Sequence, residues 1–186
     1  MTQVTIMLEL PELEAEHKAV TSNMKRAEAR ADMGMAKRDH IAAILAQPRV
    51  AGAWAARYGK TPDVTDGDRL FARITPLMQA AARETAVLIP GAADVVRQLR
   101  GQGVKIGSCT GYTREMMADI LPAAAAQGYT PDCLVCAGDT AFGRPSPLML
   151  WKNMVELGVW PAAAVVKVDD AAVGVAEGRS AGTWTV

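Results

Sequence analysis

The chain is poor in cysteine, histidine and aromatic residues, and it carries no net charge. Three cysteines in 186 residues are too few, and odd in number, for a disulfide framework, so they read as reduced thiols. Twenty Lys and Arg balance twenty Asp and Glu. That balance gives no electrostatic case for nucleic acid or an anionic membrane as the main partner, and it leaves a local anion site open. No apolar run approaches the ~18 residues of a membrane span. The opening MTQVTIMLELPELEAEH has no Lys or Arg before its apolar residues 4–10 and is acidic after them, the reverse of a secretory signal. A cytoplasmic location is therefore expected. Internal repeats and low-complexity linkers are absent, and no aspartate occurs before Asp32.

What is present supports a globular fold. Half the residues are hydrophobic, and the length suits one domain, or one domain with a small insert. The 34 alanines make helices easy to form. Two regimes follow one another. Residues 20–87 read as helical: one helix over 24–46 ended by Pro48, a short one over 51–58, a turn at 59–63, and a helix starting at Asp66 or Asp68 and reaching Thr85, with Pro76 as a kink or break. From Leu88 onward, short apolar runs at 104–107, 133–137, 163–168 and 183–186 alternate with helices of about ten residues over 92–100, 114–127 and 147–157. This alternation predicts βαβ units and a parallel sheet, with residues 4–10 as one further strand.

Ligands of such sheets bind beyond the carboxyl ends of the strands. After the first run comes Ser108-Cys109-Thr110-Gly111-Tyr112-Thr113-Arg114, whose hydroxyls, glycine and helix start suit a phosphate, or simply a capped helix. After the second run, Arg144 sits between Gly143 and Pro145, placed to clamp an anion or to lie on the surface of a turn. After the third come Asp169 and Asp170, a pair that suits Mg²⁺ or caps a helix. In the helical region, Lys37 lies among Met and Ala, with His40 at i+3. Desolvation there would make it an amine nucleophile; the spacing alone favours a solvated lysine beside a satisfied histidine. Cys133-x-x-Cys136 has no second Cys/His pair and reads as core packing.

In order, MGMAKRDHI (33–41), IPGA (89–92), VKIGSCTGYTREMM (104–117), GRPSP (143–147), KVDD (167–170) and EGRSAGTWTV (177–186) resemble phosphonoacetaldehyde hydrolases (phosphonatases) of the haloacid dehalogenase-like superfamily. The resemblance covers about residues 26–186. It implies an α/β fold: a Rossmann-like parallel-sheet core over residues 88–186 and a small helical cap over 21–87. Lys37 matches the cap lysine that forms a Schiff base with the substrate aldehyde, with His40 and Met33 beside it. Thr110 matches the hydroxyl that binds a phosphoryl oxygen, and Gly111 and Tyr112 follow in register. Arg144 matches the phosphoryl-binding cation. Asp170, with Asp169 as neighbour, matches the Mg²⁺ carboxylate. The implied partners are a small phosphonate substrate and a second copy paired through the cap.

One part of the pattern is missing. The family's nucleophile lies on the first strand as Asp-x-x-x-Thr, and this sequence does not contain it. Glu9, Glu12, Glu14 and Glu16 are the carboxylates nearest a first strand. Residues 1–20 thus read as a non-matching segment, with the first core strand missing or replaced. Gly174 stands four residues after Asp170, where many superfamily members place a second acid. The resemblance implies hydrolysis of 2-phosphonoacetaldehyde to acetaldehyde and phosphate. The missing aspartate leaves two other readings: a phosphomonoesterase of the same superfamily, indifferent to Lys37, and a catalytically incomplete fragment or non-catalytic partner of a full-length relative.

Overall fold

Glycine and proline decide where the first helices begin. The computed structural model describes residues 32–186. A turn over residues 32–36 places Gly34 at φ +98°, a left-handed conformation that suits glycine. Helix α1 (Lys37–Ala46) starts only after it. The single helix expected over 24–46 is therefore shorter within the described residues, and Lys37 opens α1 rather than sitting inside a longer helix. Pro48 opens α2 (Pro48–Tyr58), at the first helical position, where its missing N–H has no partner to lose.

Helix α3 (Val64–Thr85) begins earlier than expected, because Asp63 and not Asp66 or Asp68 is its cap. Asp63 Oδ1 accepts from Asp66 N at 2.9 Å, and Asp66 Oδ2 accepts from Asp63 N at 3.2 Å, so each satisfies one otherwise orphaned N–H. The helix continues through Pro76 unbroken. Asp63→Ala is expected to lower the unfolding free energy by about 1 kcal/mol, measured by urea titration. An unchanged midpoint would mean that Lys60 and Asp66 (2.7 Å apart) hold the turn without it.

The alternating region follows: α4 (Ala92–Gly101), β1 (Gly107–Cys109), α5 (Arg114–Ala126), β2 (Cys133–Val135), α6 (Leu148–Leu157), a 3₁₀ turn (Ala162–Ala164), β3 (Val166–Lys167), α7 (Ala172–Ala181) and β4 (Trp184–Thr185). All pairings are parallel: Gly107 opposite Cys133 through Cys109 opposite Val135, and Val166 opposite Trp184. The strands are shorter than the apolar runs. Residues 104–106 stay outside β1, and Ile106 N donates to the Asp132 side chain at 2.8 Å instead of to a strand. Residues 162–164 coil after Pro161. Among the described residues the strands form two separate pairs, β1–β2 and β3–β4, where one sheet was expected. The strand expected at residues 4–10 lies outside the described residues.

Helix α6 lies on β1 and β2, and α3 packs on both α1 and α5. Cys109, Val135, Met149, Leu150 and Ala181 form one buried cluster, with Cys133 packed on it. Cys136 is fully buried, so both cysteines of the Cys-x-x-Cys pair serve packing. A second cluster, Leu45, Val50 and Trp54 with Ile41, Ile44 and Leu70, joins α1, α2 and α3. No helix among the described residues is long and apolar enough to cross a membrane.

Candidate active site

The loop leaving β1 is shaped by its neighbours. Thr110 N donates to Val135 O of β2 at 3.0 Å. Thr110 Oγ1 accepts from Tyr112 N at 3.2 Å, which curls the loop back on itself. Thr113 then caps α5, its side chain accepting from Met116 N. Thr110 itself is buried.

Gly111 lets the 32–36 turn approach this loop. A Cβ on Gly111 would stand 2.5 Å from Met35 O and 3.1 Å from Gly34 O. No side chain fits there, and the absence of one brings the start of α1 against the end of β1. On the other side a Cβ on Gly143 would meet the Ala36 methyl at 3.6 Å. The result sets Lys37 Nζ 5.3 Å from the centre of the Tyr112 ring, a cation–π distance. Burial holds the Lys37 ammonium below its ordinary pKa, and the nearby Arg144 guanidinium pushes it the same way. Burial also raises the Tyr112 phenol. Met33 lies half-buried in the same turn, and His40 is one turn further along α1.

Arg144 is not the surface arginine that its turn sequence also allowed: it is 5% exposed. Its Nη2 donates to the Cys109 carbonyl at the end of β1. Nη1 lies 3.4 Å from Asp169 Oδ2, and Nε lies 3.3 Å from Glu177 Oε2. Lys167 Nζ lies 3.1 Å from Asp169 Oδ2 and 3.0 Å from Glu177 Oε2. Two cations and two anions thus close a buried ring of charge. Glu177 Oε2 is within ion-pair distance of both cations, yet neither Glu177 oxygen nor Arg144 Nε has hydrogen-bond geometry with a partner. The same buried charge acts on Cys109: burial first, then Glu177, pushes its thiol up to about 11. Cys109 is therefore a thiol at neutral pH, not a nucleophile.

Thus the structure brings together Lys37, Gly111, Tyr112, Thr110, Arg144 and Asp169. Asp170 is exposed beside them. The sequence reading assigned no role to Lys167 or Glu177. Both lie inside the quoted motifs, and a lysine within the apolar run 163–168 was the available signal for a buried partner.

Among the described residues no three His, Cys, Asp or Glu side chains converge. An exposed carboxylate at a strand end is nevertheless a donor Mg²⁺ uses, since it takes one or two carboxylates and fills its other positions with water and phosphate. The residues present fit that habit, with Asp170 the accessible donor and Asp169 already engaged by Lys167 and Arg144.

A family model for haloacid dehalogenase-like hydrolases matches residues 7–182. A phosphonoacetaldehyde hydrolase of Paraburkholderia xenovorans is 55% identical over 159 residues, covering 86% of this chain and 60% of the relative. One from Salmonella gallinarum is 42% identical over 175 residues, covering 94% and 65%. The crystal structure of a phosphonoacetaldehyde hydrolase-like protein from Oleispira antarctica superposes with a TM-score of 0.85 at 38% identity, over 93% of this chain and 64% of that one. The chain spans about 60% of the length of the first of these curated relatives. A match running through both the helical and the alternating regions, together with that superposition, means that the chain belongs to the haloacid dehalogenase-like hydrolase family.

Proposed function

We propose that this chain acts on 2-phosphonoacetaldehyde, with Lys37 as the amine that condenses with the aldehyde. The observation that carries this reading is the setting of Lys37. It is a half-buried lysine with a lowered pKa, placed at the tip of α1 against the β1 loop and within the field of Arg144. A phosphate ester needs no such amine. The names of the curated relatives support the same substrate.

The chemistry follows from these residues. The neutral Lys37 amine adds to the aldehyde carbon, and loss of water leaves an iminium. A bare carbanion is a poor leaving group. The iminium accepts the electron pair of the C–P bond, so the carbon departs as an enamine, which hydrolysis returns as acetaldehyde and free Lys37. Arg144 and the Thr110 hydroxyl receive the phosphonate oxygens and balance their charge. Mg²⁺ at Asp170, with Asp169 beside it, would add further neutralisation of those oxygens. The phosphoryl group passes to an oxygen nucleophile. The family's Asp-x-x-x-Thr nucleophile is not in this sequence, so that acceptor is not among these residues. Pairing of two copies through helices α1–α3 completes the reading and is checked by native mass.

The test is borohydride reduction in the presence of phosphonoacetaldehyde, with peptide mass and released phosphate followed in one tube. A reduced adduct on Lys37 with released phosphate is the expected result, and an adduct without phosphate would mean an intact binding site on a catalytically incomplete core. Phosphate release from esters with no adduct would replace this reading with a phosphomonoesterase.

A further inference from the structure

Gly174 stands in the first turn of α7, in ordinary helical backbone, where glycine costs helix stability. Its lack of a side chain has a specific use. A Cβ on Gly174 would fall 2.1 Å from Asp169 Cγ and 2.2 and 2.3 Å from its two carboxylate oxygens. The Asp169 carboxylate therefore occupies the volume that a residue-174 side chain would take. Its Oδ1 is tied to Ala171 N at 3.1 Å, and its Oδ2 faces Lys167 and Arg144. It is 8% exposed, so few other orientations are open to it. Relieving a clash with a Cβ at 174 means turning this carboxylate off its cationic partners.

We propose that Asp169 is a positioning residue that fixes the Arg144 guanidinium for a phosphoryl group, and that position 174 is glycine to leave room for its carboxylate. This rests on the reading of Arg144 as the phosphoryl-binding cation. Glu177 faces Nε as an ion-pair partner, and the Cys109 carbonyl accepts from Nη2. Asp169 is the partner on Nη1. The three contacts together fix the plane of the guanidinium, and a planar fork binds an oxyanion well only in the right plane.

Simple electrostatics and positioning predict opposite signs here. A carboxylate beside an anion site repels the anion, so removing or moving Asp169 would by charge alone leave phosphate binding unchanged or tighter. If Asp169 positions Arg144, the same change weakens binding. Gly174→Ala separates the two, because it alters no charge and favours the helix.

The experiment measures the dissociation constant of inorganic phosphate by calorimetry, with the folded state of each variant checked by circular dichroism. Arg144→Met tests the underlying reading: unchanged phosphate affinity would remove it, and this inference with it. With Arg144→Met weakened, Gly174→Ala is expected to weaken binding about tenfold, and Asp169→Asn similarly. In an Asp169→Gly background, Gly174→Ala should add no further loss, because the group it displaces is gone. Additive losses, or tighter binding in Gly174→Ala or Asp169→Asn, overturn the positioning role and leave the reading of Arg144 standing.

Discussion

Lys37→Ala is expected to abolish the reducible adduct altogether, and the pH dependence of that adduct in the parent protein should show why this lysine is used. Only the neutral amine adds to an aldehyde. At a fixed pH well below the pKa, each unit by which the pKa falls gives about tenfold more neutral amine. The ordinary value is 10.5, and burial lowers it at Lys37, with Arg144 adding to the effect. The trapping rate should rise with pH and level off with a midpoint below 10.5. Arg144→Met removes the smaller cause and leaves the larger, so the midpoint should move up but not fully back. A midpoint at the ordinary lysine value in the parent would mean a solvated Lys37 and would end the case for it as the nucleophile. Linkage gives an independent check. The folded pKa is lowered, so between the folded and unfolded values the unfolded chain holds the extra proton. The Lys37 contribution to stability therefore rises with pH through that window, and it is unfavourable below it. Lys37→Met should be more stable than the parent at neutral pH, while being inert toward the aldehyde.

The sequence made much of this legible, and the parts it hid have a common cause. Helix stops are local: Gly59 at φ +73° closes α2 where the sequence placed a turn, whereas α7, closed by Gly182 at φ +79°, was not expected between the last two apolar runs. Asp63 was passed over because Asp66 and Asp68 are equally good caps in isolation, and only the reciprocal pairing of Asp63 with Asp66 chooses between them. The β/α alternation was plain from short apolar runs, but strand ends depend on which backbone lies opposite, which a run of apolar residues does not specify. The resemblance placed Lys37, Thr110 and Arg144 in one site, and the structure supplies the approach that joins them. Gly111 reads in sequence as a turn residue, yet its use is to admit the Met35 carbonyl from 76 positions earlier in the chain. The partners of Arg144 were hidden for the same reason. Glu177 is 33 residues away, and nothing local to GRPSP indicates that its arginine faces a buried carboxylate.

That carboxylate carries the largest stability effect expected of a single change. Glu177 is wholly buried, 3.0 Å from Lys167 Nζ and 3.3 Å from Arg144 Nε. Glu177→Gln keeps the shape but leaves two buried cations against one anion. Breaking a buried ion pair from one side costs about 3–5 kcal/mol, against a total stability of about 5–15 kcal/mol for a domain. The corresponding drop in melting temperature is on the order of 10 °C. By contrast Asp94→Ala, which removes an ion pair with Arg97 at 71% and 75% side-chain exposure, should cost no more than about 1 kcal/mol, because water already solvates both groups. Desolvation, not the number of ion pairs, sets the difference. The double variant Lys167→Met with Glu177→Leu makes the point a second way. It removes one cation and one anion together, leaving Arg144 paired with Asp169, and replacing a buried pair by apolar side chains is often near neutral. It should therefore recover most of the loss seen in Glu177→Gln. Urea unfolding of the three variants measures this. If Glu177→Gln costs less than Asp94→Ala, the ring of charge is hydrated and Arg144 is held by something other than its carboxylates.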